Sequence, residues 1–157
     1  MLSSANFSRC RTYRYALRRQ WNPRGPIVLF VGLNPSTADE TADDPTIRRC
    51  VGFARDWGFS AMVMANLFAY RATDPRDLRV THDPIGPRNN WWLASLPNQV
   101  DLVVAAWGIH GTLLDRDETV LRSLDRVCCL GRTKAGHPRH PLYLSRTATP
   151  APFTRLP

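Results

Sequence analysis

Four short apolar runs constrain this chain more than any other feature: IVLFVG (27–32), AMVMANLF (61–68), VDLVVAAW (100–107) and DRVCCLG (125–131). Each reads as a strand buried on both faces, the kind that parallel sheets contain. Helix signals lie between them. Asp44 is placed as an N-cap with Pro45 at the first helical position. Ile47, Cys50, Val51 and Ala54 follow at helical spacing, Trp57 is a last apolar contact, and Gly58 can end the helix. Arg88 to Leu96 and Gly108 to Leu124 also read as helices, with a short one around Asp77 to Val80. Such alternation implies a three-layer α/β fold with a mainly parallel central sheet, helices covering both faces.

Ahead of the first run, TYRYALRR alternates with period two. Tyr13, Tyr15 and Leu17 are expected inward, and Arg14, Ala16 and Arg18 outward. NPRGP (22–26) then punctuates the chain. After the fourth run, TKAGHPRHPLYLS is expected as a loop leading into a short extended piece, and TATPAPFTRLP as a surface-wrapping tail. The expectation is one α/β domain over 1–157. Residues 1–24 form a basic N-terminal segment with an edge strand, and 146–157 a Pro-rich tail.

The apolar runs all fall well short of the roughly 18 residues that span a membrane, and MLSSANFSRCRTYRY lacks the pattern of a secretory signal. The formal charge is +8, and Lys134 is the sole lysine among 21 basic residues. Arginine forks suit phosphate, so DNA or a nucleotide is admitted as a partner beside a plain basic surface; a membrane is not. Oligomeric state is open. Cys10, Cys50, Cys128 and Cys129 lack metal-ligand spacing, which suits a reduced, cytoplasmic protein without a metal or other cofactor.

In open α/β folds, sites form beyond the carboxyl ends of the strands. GLNPSTAD, ANLFAYRATDP, WGIHG and GRTKAGHPRHPLY fall there. Asn34 can orient a water or read a heterocycle edge; alternatively it bonds its own turn before Pro35. Asn66, inside an apolar strand, is either a ligand-reading amide or a bracket for a neighbouring loop. Arg71 either clamps phosphate or pairs with Asp74 or Asp77. His110 can face a ligand or serve as a surface or cap residue. His140 and His137 both precede proline, and each can act on a ligand or stabilise its loop. Ser36, Arg139 and Tyr143 complete the set of candidate substrate contacts. Asp39, Glu40, Asp43 and Asp44 can hold Mg²⁺ with a substrate phosphate, or can serve as caps and solvated charge; Arg48 and Arg49 can pair with them or meet phosphate. The set lacks a GxGxxG, Walker, HExxH or nucleophile-elbow motif.

YRYAL (13–17), GLNPSTAD (32–39), DDPTIRRC (43–50), NLFAYRATDP (66–75), AWG-x-HG (106–111) and G-x-P-x-HPLYL (136–144) together resemble a family of small bacterial proteins, domain of unknown function 1643. A more distant resemblance is to the uracil-DNA glycosylase superfamily, on Gly32-Leu33-Asn34-Pro35 and His140-Pro141-Leu142-Tyr143, with His137-Pro138 as another register. That resemblance implies a uracil-DNA-glycosylase-like fold and a base-directed hydrolase. Asn34 and His140 would be catalytic, the first orienting water and the second stabilising the departing base. Asn66 would read the base, and Arg71 or Arg139 would hold phosphate. Ser36 stands where that superfamily has a small glycine. Arg139 and Leu142 interrupt its second motif, and the base-stacking aromatic is open between Phe53 and Phe68. The other functions admitted are a non-catalytic nucleic-acid or nucleotide-binding module, and a Mg²⁺-dependent enzyme on a small phosphorylated metabolite.

Overall fold

The computed structural model describes residues 1–154; the last three positions of the expected tail lie outside the described residues. The strands are β1 (Leu2–Phe7), β2 (Arg14–Gln20), β3 (Ile27–Gly32), β4 (Ala61–Asn66), β5 (Leu102–Ala105), β6 (Cys128–Cys129) and β7 (Ala151–Pro152). The helices are α1 (Pro45–Asp56), α2 (Asn89–Ser95) and α3 (Arg116–Arg122), with 3₁₀ segments at Pro75–Arg79, Leu96–Gln99, Gly108–Asp115 and Pro141–Tyr143. One sheet runs β1-β2-β4-β3-β5-β6-β7. No helix among the described residues is long and apolar enough to cross a membrane.

The sheet is mixed. β4-β3-β5-β6 are parallel, whereas β1–β2, β2–β4 and β6–β7 pair antiparallel, so half of its pairings are antiparallel. This overturns the expected mainly parallel, uracil-DNA-glycosylase-like sheet, and with it the glycosylase-like and hydrolase labels that rested on the likeness. The reason is local. Residues 21–26 join β2 to β3, and so short a link cannot make the crossover of a dozen or more residues that parallel strands require. β1 carries no apolar signal, because LSSANF is polar and largely exposed. The tail, expected on the surface, instead adds β7 to the sheet edge and buries Phe153 in the core.

Alternation along the central strands splits the core in two. Leu29, Val31, Val63 and Ala65 face the side covered by α2 and α3, packing with Leu93, Leu96 and Val120. Val28, Phe30, Met62 and Met64 face α1 and meet Ile47, Cys50, Phe53 and Ala54. Helix α1 begins as its sequence implies: the Asp44 side chain accepts from the Ile47 N–H at 2.9 Å, and Pro45 opens the first turn. The helix expected over 108–124 is broken. Leu114 and Asp115 have φ of 57° and 52°, and α3 starts afresh at Arg116. The break coincides with burial of Arg116, whose Nε donates to Leu67 O at 2.8 Å.

Strand β2 departs most from its expected pattern. Arg14, Tyr15, Ala16, Leu17 and Arg19 are all buried. Asn6 pairs with Ala16 but Phe7 with Arg14, which leaves Tyr15 as the extra residue of a β-bulge. A bulge turns the residue beyond it to the other face. Arg14 therefore lies on the α1 side with Leu17, and Ala16, also expected outward, is buried on the side covered by α2 and α3. Arg19 reaches over the same side and anchors the acidic loop: Nε donates to Asp43 Oδ1 at 2.8 Å, and Nη2 to the carbonyls of Asp39 and Ala42.

Candidate functional site

The carboxyl ends of β3, β4 and β5 open onto a cleft of about 710 Å³. Its walls include Asn34, Ser36, Thr46, Thr73, Gly108, His110, Arg139, His140 and Tyr143. A smaller recess of about 40 Å³ is lined by Arg14, Gly32, Asn34, Ser36, Asp44, Asn66 and His140, against Ile47 and Met64 of the core. Asn34, Ser36, Asp44, Thr46 and His140 line both, so the recess forms the inner end of the cleft. Because β2 runs antiparallel to β4, its first residue, Arg14, lies at the edge where the parallel strands end.

The recess is rich in donors. Arg14 is 2% exposed and Asn66 3%. Arg14 Nη1 donates to Ala38 O at 3.1 Å. Arg14 Nε and Asn66 Nδ2 have no hydrogen-bond partner among the described residues. Nor does any described carboxylate form an ion pair with Arg14. Burial pulls its guanidinium down to about 10, against the opposing charge of Asp44, so it stays protonated at neutral pH. Asp44 supplies the balancing negative charge, and its oxygens already accept from the N–H groups of Ile47 and Ala38. The recess is thus close to neutral overall, with N–H groups to offer.

His140 contributes another donor. The Leu142 N–H donates to its Nδ1 at 3.2 Å, so in the neutral ring the proton sits on Nε2. Burial lowers the ring's pKa, which keeps it neutral at pH 7. The Tyr143 ring lies 5.7 Å from it, centroid to centroid, and is 74% exposed at the mouth. Gly32 is required where it stands, directly beside its register partner Asn66. A Cβ there would come within 2.8 Å of Asn66 Oδ1.

The candidates divide as follows. Asn34, Asn66, Ser36 and His140 meet at the recess, and Arg139, Tyr143 and His110 line the outer cleft. Asn34 also brackets its own turn. Its Nδ2 donates to Pro35 O at 3.0 Å and to Ala72 O at 2.8 Å, leaving only Oδ1 for a ligand. Arg139 is tied to Tyr143 O at 2.7 Å. Arg71 lies elsewhere, in a neighbouring cavity that shares Ser36, Ala72 and Thr73 with the cleft. His137 lines neither recess nor cleft. Phe53 and Phe68 are core residues.

The acids of residues 39–44 have structural partners. Asp39 Oδ1 accepts from the N–H groups of Thr41 and Ala42, Glu40 pairs with Arg11 through both oxygens, and Asp43 pairs with Arg19. Arg48 and Arg49 bond carbonyls instead, those of Asp43 and Leu144. Among the described residues, no group of three or more His, Cys, Asp or Glu is placed to hold a metal ion.

Arg14 is the site residue that alternation hid. A charged residue in an otherwise buried strand was the available signal, but its direction depends on the bulge at Tyr15.

Residues 14–142 match the model of DUF1643, described as a protein of unknown function, and the chain belongs to that family. No curated protein and no solved structure matches it.

Proposed function

We propose that this member of a family of unknown function is a nucleotide-binding protein whose cleft reads the carbonyl edge of a base. One observation carries the reading: two buried N–H groups without partners among the described residues, Arg14 Nε and Asn66 Nδ2, belong to residues lining a single recess. A buried donor left unpaired costs about 1–3 kcal/mol, so a ligand acceptor reaching both recovers that energy. Charge decides what kind of acceptor. With Arg14 balanced by Asp44, a neutral carbonyl enters without the cost of burying a further anion. The His140 Nε2–H adds a donor of the same kind.

The outer cleft suits the rest of a nucleotide. Its volume lies within the range of small-molecule sites. The exposed Tyr143 ring offers a stacking face, Ile109 and Leu142 an apolar wall, and Arg139 a cation. The free state of all four cysteines supports the reducing, cytoplasmic setting where nucleotides are abundant.

Calorimetric titration with uridine and cytidine monophosphates tests the reading. These differ where a carbonyl replaces an amino group. Uridine monophosphate should bind the more tightly, and His140→Ala should weaken it about fivefold, as loss of a roughly 1 kcal/mol hydrogen bond requires. Absence of binding by either nucleotide at millimolar concentration would refute it.

A further inference from the structure

Beside the cleft lies a second cavity of about 500 Å³, lined by Arg11, Thr12, Arg71, Thr73 and Asp77, with Ser36 and Ala72 in the shared wall. Two guanidinium groups lie over the Phe7 ring, Arg11 at 3.9 Å and Arg71 at 4.8 Å from its centroid. Their charges are in different states. Arg11 is neutralised by Glu40 through two hydrogen bonds of 2.8 and 2.7 Å. Arg71 has no ion pair among the described residues, and its two bonds, to Ser36 O and Arg11 O, are both 3.4 Å long. Asp77 is the carboxylate on that wall, and it forms no ion pair with Arg71. Arg71 is therefore a cation propped on an aromatic ring, with donors to spare, across a low wall from the base-reading cleft.

Resting on the nucleotide reading above, we propose that this cavity is a phosphodiester subsite and that the ligand is a single strand of nucleic acid rather than a free nucleotide. A base in the cleft carries its sugar outward, and the next phosphate along the strand crosses Ser36, Ala72 and Thr73 to meet Arg71. Guanidinium–phosphate contact gives affinity without sequence information and orients the strand. A stacked duplex cannot deliver a base edge to a recess at the inner end of the cleft without extruding the nucleotide, so an unpaired strand is the direct fit.

The test compares uridine monophosphate with a three-nucleotide oligouridylate on wild type, Arg71→Gln and Arg71→Lys, by calorimetry over a range of salt concentrations. The trimer should bind wild type at least tenfold more tightly than the monophosphate. Arg71→Gln should remove most of that gain and lower the slope of log affinity against log salt by about 0.7, one phosphate contact on a single strand. Its affinity for the monophosphate should hold, which also shows that the variant is folded. Arg71→Lys should retain part of the gain. Equal binding of trimer and monophosphate by wild type overturns the subsite and leaves the base-reading cleft standing. Equal weakening of both ligands by Arg71→Gln overturns it too. Binding of neither ligand by wild type overturns both proposals.

Discussion

Replacing Arg14 by Met removes a charge that the folded chain holds at 2% exposure without an ion pair among the described residues. Burial lowers its pKa from the ordinary guanidinium value to about 10. That difference corresponds to about 3 kcal/mol against the charged form in the folded state. Methionine refills most of the stem volume and adapts to irregular gaps. Against the gain stands the lost hydrogen bond to Ala38 O, worth about 1 kcal/mol. The unliganded variant should therefore be unchanged or more stable by about 1–2 kcal/mol, which raises Tm by about 2–8 °C for a chain of this length. Nucleotide affinity should move the other way, falling by about tenfold to a hundredfold with the loss of a charged donor. Urea unfolding and calorimetry on the same preparation measure both quantities. The effect on stability should be constant across ordinary pH, because folded and unfolded states both keep this proton below about 10. Between there and the ordinary guanidinium value the folded state sheds it first, and stability rises with pH. A loss of more than about 2 kcal/mol in the unliganded variant would contradict the argument, since Arg14 would then be holding the fold rather than waiting for a ligand.

Three further outcomes follow from the same geometry. Gly32→Ala should cost about 1–3 kcal/mol in urea unfolding and weaken nucleotide binding with it, because the new Cβ displaces the Asn66 amide. Burial holds His140 below its ordinary 6.5, so the unfolded state binds more protons as pH falls. Tm should drop as pH is lowered through that region and level off below the folded value, and His140→Ala should flatten the profile. Hydrogen bonding with the hydroxyls of Thr12 and Ser8 lowers exposed Cys10 to about 7, whereas burial raises Cys50 and Cys128. Alkylation at pH 7 read by mass spectrometry should mark Cys10 first and spare Cys50 until unfolding; equal labelling of the two would contradict this.

Some of this was legible from residue order alone. The apolar runs located β3, β4, β5 and β6 because a strand buried on both faces must be apolar throughout. Asp44-Pro45 located the start of α1, since capping depends only on a side chain and the turn that follows it. Topology placed Asn34, Asn66 and His140 at one edge, where they line one recess. The antiparallel pairing of β2 is implied by the short link at 21–26, which the apolar pattern does not encode. Strands β1 and β7 could not be found by an apolar signal they do not carry.

The sequence by itself determined what depends on near neighbours along the chain: which segments are apolar enough to be central strands, where α1 is capped, and which polar groups sit at strand ends. Tertiary structure decided what depends on partners far away in the chain. The mixed sheet, the bulge at Tyr15 and the pairing of Glu40 with Arg11 and of Asp43 with Arg19 are of that kind. Together they turn the acids of the loop into scaffold and bring Arg14, written like a solvent-facing residue, into the recess. Whether a charge is spent on a neighbour or left for a ligand is settled only when the strands have paired.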